Sequence, residues 1–216
     1  YCNMKKINLL LIFCALSLAI YAQDSKVLTL KDAVTGKYNG ERLGELVPMA
    51  DGEHYTMMSN DRKRIVKYSF KTGKEVETLF DVSTARECTF KTFDGYQLSP
   101  DETKILIQTE TKPIYRRSYT AVHYVYTIKR NLVEKLSDGG PQQVPTFSPD
   151  GNMVAFVRNN NIFLVKFLYG NSESQVTTDG AFGKIINGAP DWVYEEEFEY
   201  NRALEFSPDN LMITFV

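Results

Sequence analysis

Histidine occurs only twice in this sequence, at His54 and His123, and cysteine three times, at Cys2, Cys14 and Cys88. Zinc sites draw on clustered Cys and His ligands. Two distant histidines and one cysteine beyond the N-terminal segment supply too few, so no metal and no cofactor is expected. Cys88 alone cannot close an internal disulfide, and the fold must therefore rest on its core. No Gly-x-Ser-x-Gly elbow and no phosphate-cradling glycine loop is present. A Ser–His–Asp triad would have to use His54 or His123, and nothing around either suggests one. No catalytic residue is expected in this chain. An excess of charge of either sign is also lacking: the net charge is −2, which gives no reason to expect a nucleic-acid partner. Helical periodicity is nearly absent after residue 40.

Long apolar runs are missing too, except at the N-terminus. Lys5 and Lys6 precede an apolar run from Ile7 to Ile20, and Ala22 precedes Gln23. A basic start, a short apolar core and a small residue at its end predict a secretory signal peptide over 1–22. The run is too short for a comfortable membrane span. Tyr1, Cys2 and Asn3 lie ahead of a start Met at Met4 and read as translated upstream sequence. Bulky Ile12 and Phe13 before Cys14 argue against lipid attachment. The mature protein is expected to be exported: periplasmic, held at the cell surface or secreted.

Residues 23–40 form an N-terminal segment with one short helix. Thr29 followed by Asp32 resembles a capping box, and Leu30, Ala33 and Val34 supply a small apolar face. From 41 to 216 the pattern is strands and turns. Strands are predicted at His54–Met58, Arg64–Ser69, Lys104–Thr109, Ala121–Ile128, Met153–Arg158 and Ile162–Phe167. Turn signals fall at Asp51-Gly52, Thr72-Gly73, Gly139-Gly140, Asp150-Gly151 and Asn159-Asn160-Asn161.

A short string recurs: Leu98-Ser99-Pro100-Asp101, Phe147-Ser148-Pro149-Asp150 and Phe206-Ser207-Pro208-Asp209, with a weaker copy at Met49-Ala50-Asp51-Gly52. An apolar residue ends one strand, Pro sets φ at the turn, and Asp bonds the turn backbone before the next strand. A strand–turn–strand unit recurring every 40–60 residues or so has the period of a four-stranded propeller blade. The predicted fold is all-β: an incomplete β-propeller of about three to four blades over 41–216. So few blades do not close a ring, and Leu211–Val216 reads as the middle of a strand. The chain is therefore expected to be part of a longer product.

Two segments could carry chemistry. In Asp191-Trp192-Val193-Tyr194-Glu195-Glu196-Glu197, three successive carboxylates adjoin the only Trp. On a strand they would alternate between faces. On a short helical turn, neighbouring carboxylates can lean towards one point and receive a cation with several N–H donors, such as a peptide amino terminus. A solvated acidic turn is the plainer alternative. In Tyr115-Arg116-Arg117-Ser118-Tyr119, an extended backbone would send the arginines to opposite sides, leaving one free to grip a carbonyl or carboxylate.

These two segments resemble the double-Glu and arginine segments of the dipeptidyl peptidase IV family of serine peptidases. Their order, the Ser-Pro-Asp turns and the exported context agree, and the resemblance runs from about residue 28 to the end. It implies an eight-bladed propeller over an α/β-hydrolase domain, releasing dipeptides with Pro or Ala second from peptides with a free N-terminus. By this resemblance Glu196 and Glu197 bind the substrate's α-ammonium and Arg116 its carbonyl oxygen, with Glu195 and Arg117 as neighbours. The helix near Leu30–Tyr38 would belong with the hydrolase domain, and the full-length protein would be a homodimer. The family's nucleophile, its acid and base partners and its oxyanion-hole tyrosine lie beyond residue 216. The alternative is a non-catalytic propeller module binding a protein or glycan. An internally cutting oligopeptidase fits less well, because it has no reason to capture an amino terminus.

Overall fold

The computed structural model describes residues 28–40 and 44–216, which fall in two units. The signal peptide expected over 1–22 lies outside the described residues. None of the helices described is long and apolar enough to cross a membrane. In the first unit, helix α1 (Leu30–Val34) is closed by the anticipated box: the Thr29 hydroxyl accepts from the Asp32 N–H, and the Asp32 carboxylate accepts from the Thr29 N–H. Its apolar side chains stay exposed, Leu30 and Val34 among them.

The second unit is a row of antiparallel meanders. The first sheet holds β1 (Leu46–Pro48), β2 (His54–Met58), β3 (Arg64–Ser69) and β4 (Glu75–Asp81) in chain order. The second holds β5 (Gly95–Leu98), β6 (Lys104–Pro113), β7 (Tyr119–Thr127) and β8 (Leu132–Lys135). The third holds β9 (Gln143–Phe147), β10 (Met153–Arg158), β11 (Asn161–Lys166) and β12 (Ser172–Gln175). A fourth begins as the pair β13 (Leu204–Phe206) and β14 (Ile213–Phe215). Three four-stranded blades and the opening hairpin of another make the partial propeller that the repeat predicted.

The middle strands are buried on both faces, and the two-residue period divides them between interfaces. On β6, Ile105 and Ile107 pack with Ile65, Phe80 and Phe93 towards the first sheet, while Leu106 packs with Phe147, Val154 and Phe156 of the third. On β10, Val154 and Phe156 face the second sheet, and Ala155 and Val157 join Leu204 and Phe206 of the fourth. Each such fully buried side chain contributes about 1.5–3 kcal/mol. The blades are thus held by side chains interleaved between sheets.

The Ser-Pro-Asp turns are alike in every copy. Ser99, Ser148 and Ser207 each donate to the Asp two residues on at 2.6 Å, and each hydroxyl accepts the N–H five residues on, at or just before the start of the next strand, at 2.9 Å. The weaker copy occupies the same β1–β2 position. Met49 has no hydroxyl there, and Asp51 Oδ1 takes the His54 N–H at 2.9 Å instead. The same geometry recurs at Ser59–Asp61, between β2 and β3, which the repeat reading missed.

Candidate functional site

The β6–β7 hairpin is longer than its neighbours require. β5 pairs with β6 only from Gly95↔Gln108 to Leu98↔Ile105, and β8 pairs with β7 only from Tyr124↔Lys135 to Thr127↔Leu132. Beyond Gln108 and His123 the hairpin therefore runs on as an arm without β5 or β8 beside it, reaching roughly 16 Å at the rise of a strand. Its base is tied to the third sheet by a reciprocal pair, Ala121 N–H to Gln142 O at 3.0 Å and Gln142 N–H to Ala121 O at 2.8 Å. Its tip is Tyr115–Ser118. That tip is a tight bend rather than the extended segment considered from sequence, with Ile114 N–H bonded to Ser118 O at 2.9 Å. The two arginines still diverge.

The acidic string folds as helix α2 (Trp192–Phe198), between β12 and β13. Asp191 is its N-cap, its carboxylate accepting the Tyr194 N–H at 3.0 Å. The helix stops at Glu199, in the left-handed region at φ 61°. α2 inverts the usual pattern: its one buried residue is Glu195, 1% exposed, while Trp192, Val193 and Phe198 face solvent.

Helix and bend meet side by side. Glu195 Oε1 accepts the N–H groups of Arg117 at 2.6 Å and Ser118 at 2.8 Å. Burial pushes the Glu195 carboxyl up, and the Ser118 and Arg117 groups around it pull it down by more, so it holds its charge below the usual carboxylate range. Arg117 pairs with Glu199 at 3.1 Å, and the Asn201 amide donates to Arg117 O at 3.1 Å. Arg116 turns the other way and meets Glu196 Oε2 at 3.1 Å. The Glu196 side chain is 16% exposed and that of Arg116 is 73% exposed. Glu197 is exposed and forms no ion pair among the described residues.

Of the three residues singled out from sequence, Arg116 and Glu196 are in contact, and Glu197 follows Glu196 in α2 with its side chain exposed. One guanidinium and two carboxylates leave a net charge of −1, which complements one ammonium group. A cavity of ≈ 490 Å³ adjoins this region, lined by Tyr96, Gln108, Tyr119 and His123 of the second sheet together with Ser118 and Glu199. Arg116, Glu196 and Glu197 do not line it. His123 is buried and bonded to Gln142 Oε1 at 3.0 Å; burial pushes its imidazole down to about 4, against the smaller upward pull of Gln142. Sequence reasoning gave neither His123 nor Glu195 a structural role. Nothing in the local sequence marks Glu195 for burial, because its partners are backbone N–H groups of a segment some 80 residues away.

The fold is that of a partial propeller in which an arginine-bearing bend meets an acidic helix. The family model "Dipeptidyl peptidase IV (DPP IV) N-terminal region" matches residues 99–216, and the chain belongs to that family. It is similar to dipeptidyl peptidase 4 of Porphyromonas gingivalis, whose crystal structure it matches with a TM-score of 0.83 at 46% identity, over 88% of this chain and 27% of that one. Human prolyl endopeptidase FAP is 31% identical over 88% of this chain and 24% of its own length. The probable dipeptidyl peptidase 4 of Aspergillus fumigatus is 28% identical over 99% of this chain and 28% of its own. The chain spans about a quarter of the length of these relatives.

Proposed function

We propose that this chain is the substrate-recognition part of an exported serine dipeptidyl peptidase, which releases dipeptides with Pro or Ala second from peptides with a free N-terminus. The observation that carries the reading is the contact of Arg116 with Glu196, beside Glu197, at the meeting of two segments about 80 residues apart. Glu196 and Glu197 would hold the substrate ammonium, and Arg116, released in part from Glu196, would donate to the carbonyl oxygen of the first residue. Anchoring the chain end fixes how many residues extend towards a distant nucleophile, so the product has constant length. Binding energy spent far from the scissile bond then serves orientation. The relatives include a protein named an endopeptidase, so family membership alone does not dictate removal of dipeptides. In this chain that choice rests on the acidic pair. The nucleophile would come from a hydrolase domain encoded beyond residue 216, with the Ser of a Gly-x-Ser-x-Gly segment followed by Asp and His. The signal-like N-terminus supports export, and a homodimer is part of the same proposal.

The test is turnover of an Ala-Pro chromogenic amide by the full gene product, with Glu196→Ala and Glu197→Ala beside it. Each variant is expected to lose most activity while melting normally, and an N-acetylated substrate to be refused. Near-normal turnover in both variants, or cleavage of the acetylated substrate at an equal rate, would overturn the assignment.

A further inference from the structure

We propose that Glu195 is a positioning residue: its buried carboxylate locks the Arg116–Ser118 bend onto α2, so that Arg116, Glu196 and Glu197 meet a substrate as one rigid clamp. The inference rests on the peptidase reading above and adds a residue to it that does not itself touch substrate.

The contact between arm and helix has few other sources of strength. α2 offers no apolar face to the bend, since Trp192, Val193 and Phe198 are all exposed. The Arg116–Glu196 pair is open to solvent on the arginine side, and pairs of that kind contribute little. Arg117–Glu199 is exposed as well. Glu195 differs in kind. It is buried, it stays ionised, and one of its oxygens takes two N–H groups in succession, immediately after Arg116 in the chain. Charge-assisted bonds to a buried acceptor are roughly twice as strong as neutral ones. Removing that acceptor would leave both N–H groups without a partner, a loss that falls on the bend itself. Asn201, donating to Arg117 O, is the second tie on the same residues. All of these bonds hold residues 117 and 118, so what they fix is the direction in which Arg116 leaves the bend.

Spacing is what such a lock protects. An α-ammonium and the carbonyl oxygen of the same residue are separated by two backbone atoms, so the groups that bind them must keep one distance. A displacement near 1 Å in a substrate-holding group costs about 100-fold in rate.

The experiment uses the full-length protein and a two-by-two set built on Glu195→Ala and Arg116→Ala, assayed for kcat and KM on the Ala-Pro amide. Glu195→Ala is expected to lower kcat/KM about 100-fold. Glu195→Gln keeps one oxygen for both N–H groups but loses the charge, so it should fall between wild type and Glu195→Ala, retaining at least about tenfold more kcat/KM than Glu195→Ala. In the Arg116→Ala background, Glu195→Ala should cost no more than about threefold further, because the group it positions is already gone. Full additivity would mean that Glu195 acts through general stability, and would overturn the proposal. Wild-type kinetics for Glu195→Ala, with Glu196→Ala inactive, would overturn the lock and leave the substrate site standing; normal kinetics for Glu196→Ala would remove the site itself. Should Glu195→Ala fail to fold, the same set with Asn201→Ala decides by the same criteria.

Discussion

Glu196 gives the sharpest test of ammonium capture. The perturbation is Glu196→Gln, which keeps shape and one acceptor oxygen but removes the charge. Two magnitudes can be set against each other. The ion pair with Arg116 is 73% exposed on the arginine side, and exposed pairs contribute about 0–1 kcal/mol, so the fold should lose no more than about 1 kcal/mol. A hydrogen bond from a substrate ammonium to a carboxylate contributes about 1.5–3 kcal/mol net, which corresponds to roughly 10- to 150-fold in kcat/KM. The kinetic loss should therefore exceed anything the melting temperature reports. The assay compares an Ala-Pro amide with its des-amino analogue, in wild type and in Glu196→Gln. In wild type, deleting the amine should be severe, because two carboxylates lose their partner. In the variant that penalty should shrink by about tenfold or more, since one of its sources is gone. If the penalty is equal in both proteins, Glu196 does not bind the ammonium, however much activity the variant loses.

Other expectations follow from single contacts. Asp191→Ala removes the α2 N-cap and should cost about 1 kcal/mol locally, seen as faster amide exchange over Trp192–Phe198 and a raised KM. A Cβ at Gly180 would run into the carbonyl of Asn160, which is backbone and cannot step aside. That carbonyl also accepts from Asn187 N–H at 3.0 Å, so Gly180→Ala should loosen the segment leading to α2 and lower the melting temperature. His123 has its imidazole pushed down to about 4 by burial, against 6.5 ordinarily. The unfolded chain thus binds a proton that the folded chain refuses. The stability this represents is intact above pH 6.5 and is lost as pH falls towards 4, amounting to about 3 kcal/mol. Amide exchange across β7 should accelerate over that window in wild type and much less in His123→Gln; equal acceleration in both would show that another group carries the acid sensitivity.

How much of this could be read in advance varies by element. Three predicted strands, His54–Met58, Arg64–Ser69 and Met153–Arg158, have the observed limits, because each is rich in β-branched, aromatic or Met residues and sits between strong turn residues. The Asn159-Asn160 turn is legible for the same reason: both residues take positive φ, 51° and 62°, which asparagine tolerates in a two-residue hairpin. β12 (Ser172–Gln175) could not be read from pattern, since its four residues are exposed and polar and it exists because β11 offers an edge. The hairpin arm was half legible. Lys104–Thr109 stops where β5 stops pairing, and only the structure shows β6 running on to Pro113 without that neighbour. At the site, residue types singled out the acidic run and the two arginines, and the family resemblance chose Arg116, Glu196 and Glu197 among them; no local pattern reveals that a bend in the second sheet reaches a helix lying between the third and the fourth.

That long-range meeting explains why the acidic helix breaks the ordinary rule of burial. A helix that exposes Trp192 and Phe198 while burying Glu195 is poorly adapted to stand alone. The contradiction resolves once its role is to receive the bend, since the buried carboxylate then serves two backbone donors that no apolar side chain could satisfy. Local rules are broken most readily where function requires it. Here the breach sits one residue before Glu196, and one and two residues after Arg116. The same bonds that make the helix an unusual sequence set the spacing of the charges beside it. In the interleaved sheets Leu106 of β6, at the root of the arm, packs on Val154 and Phe156 of β10, and Leu204, which follows α2, packs with Ala155 and Val157 of the same strand. That packing brings the root of the arm and the end of α2 onto one strand, and the last step, the seating of the bend on the helix, falls to the bonds that Glu195 accepts.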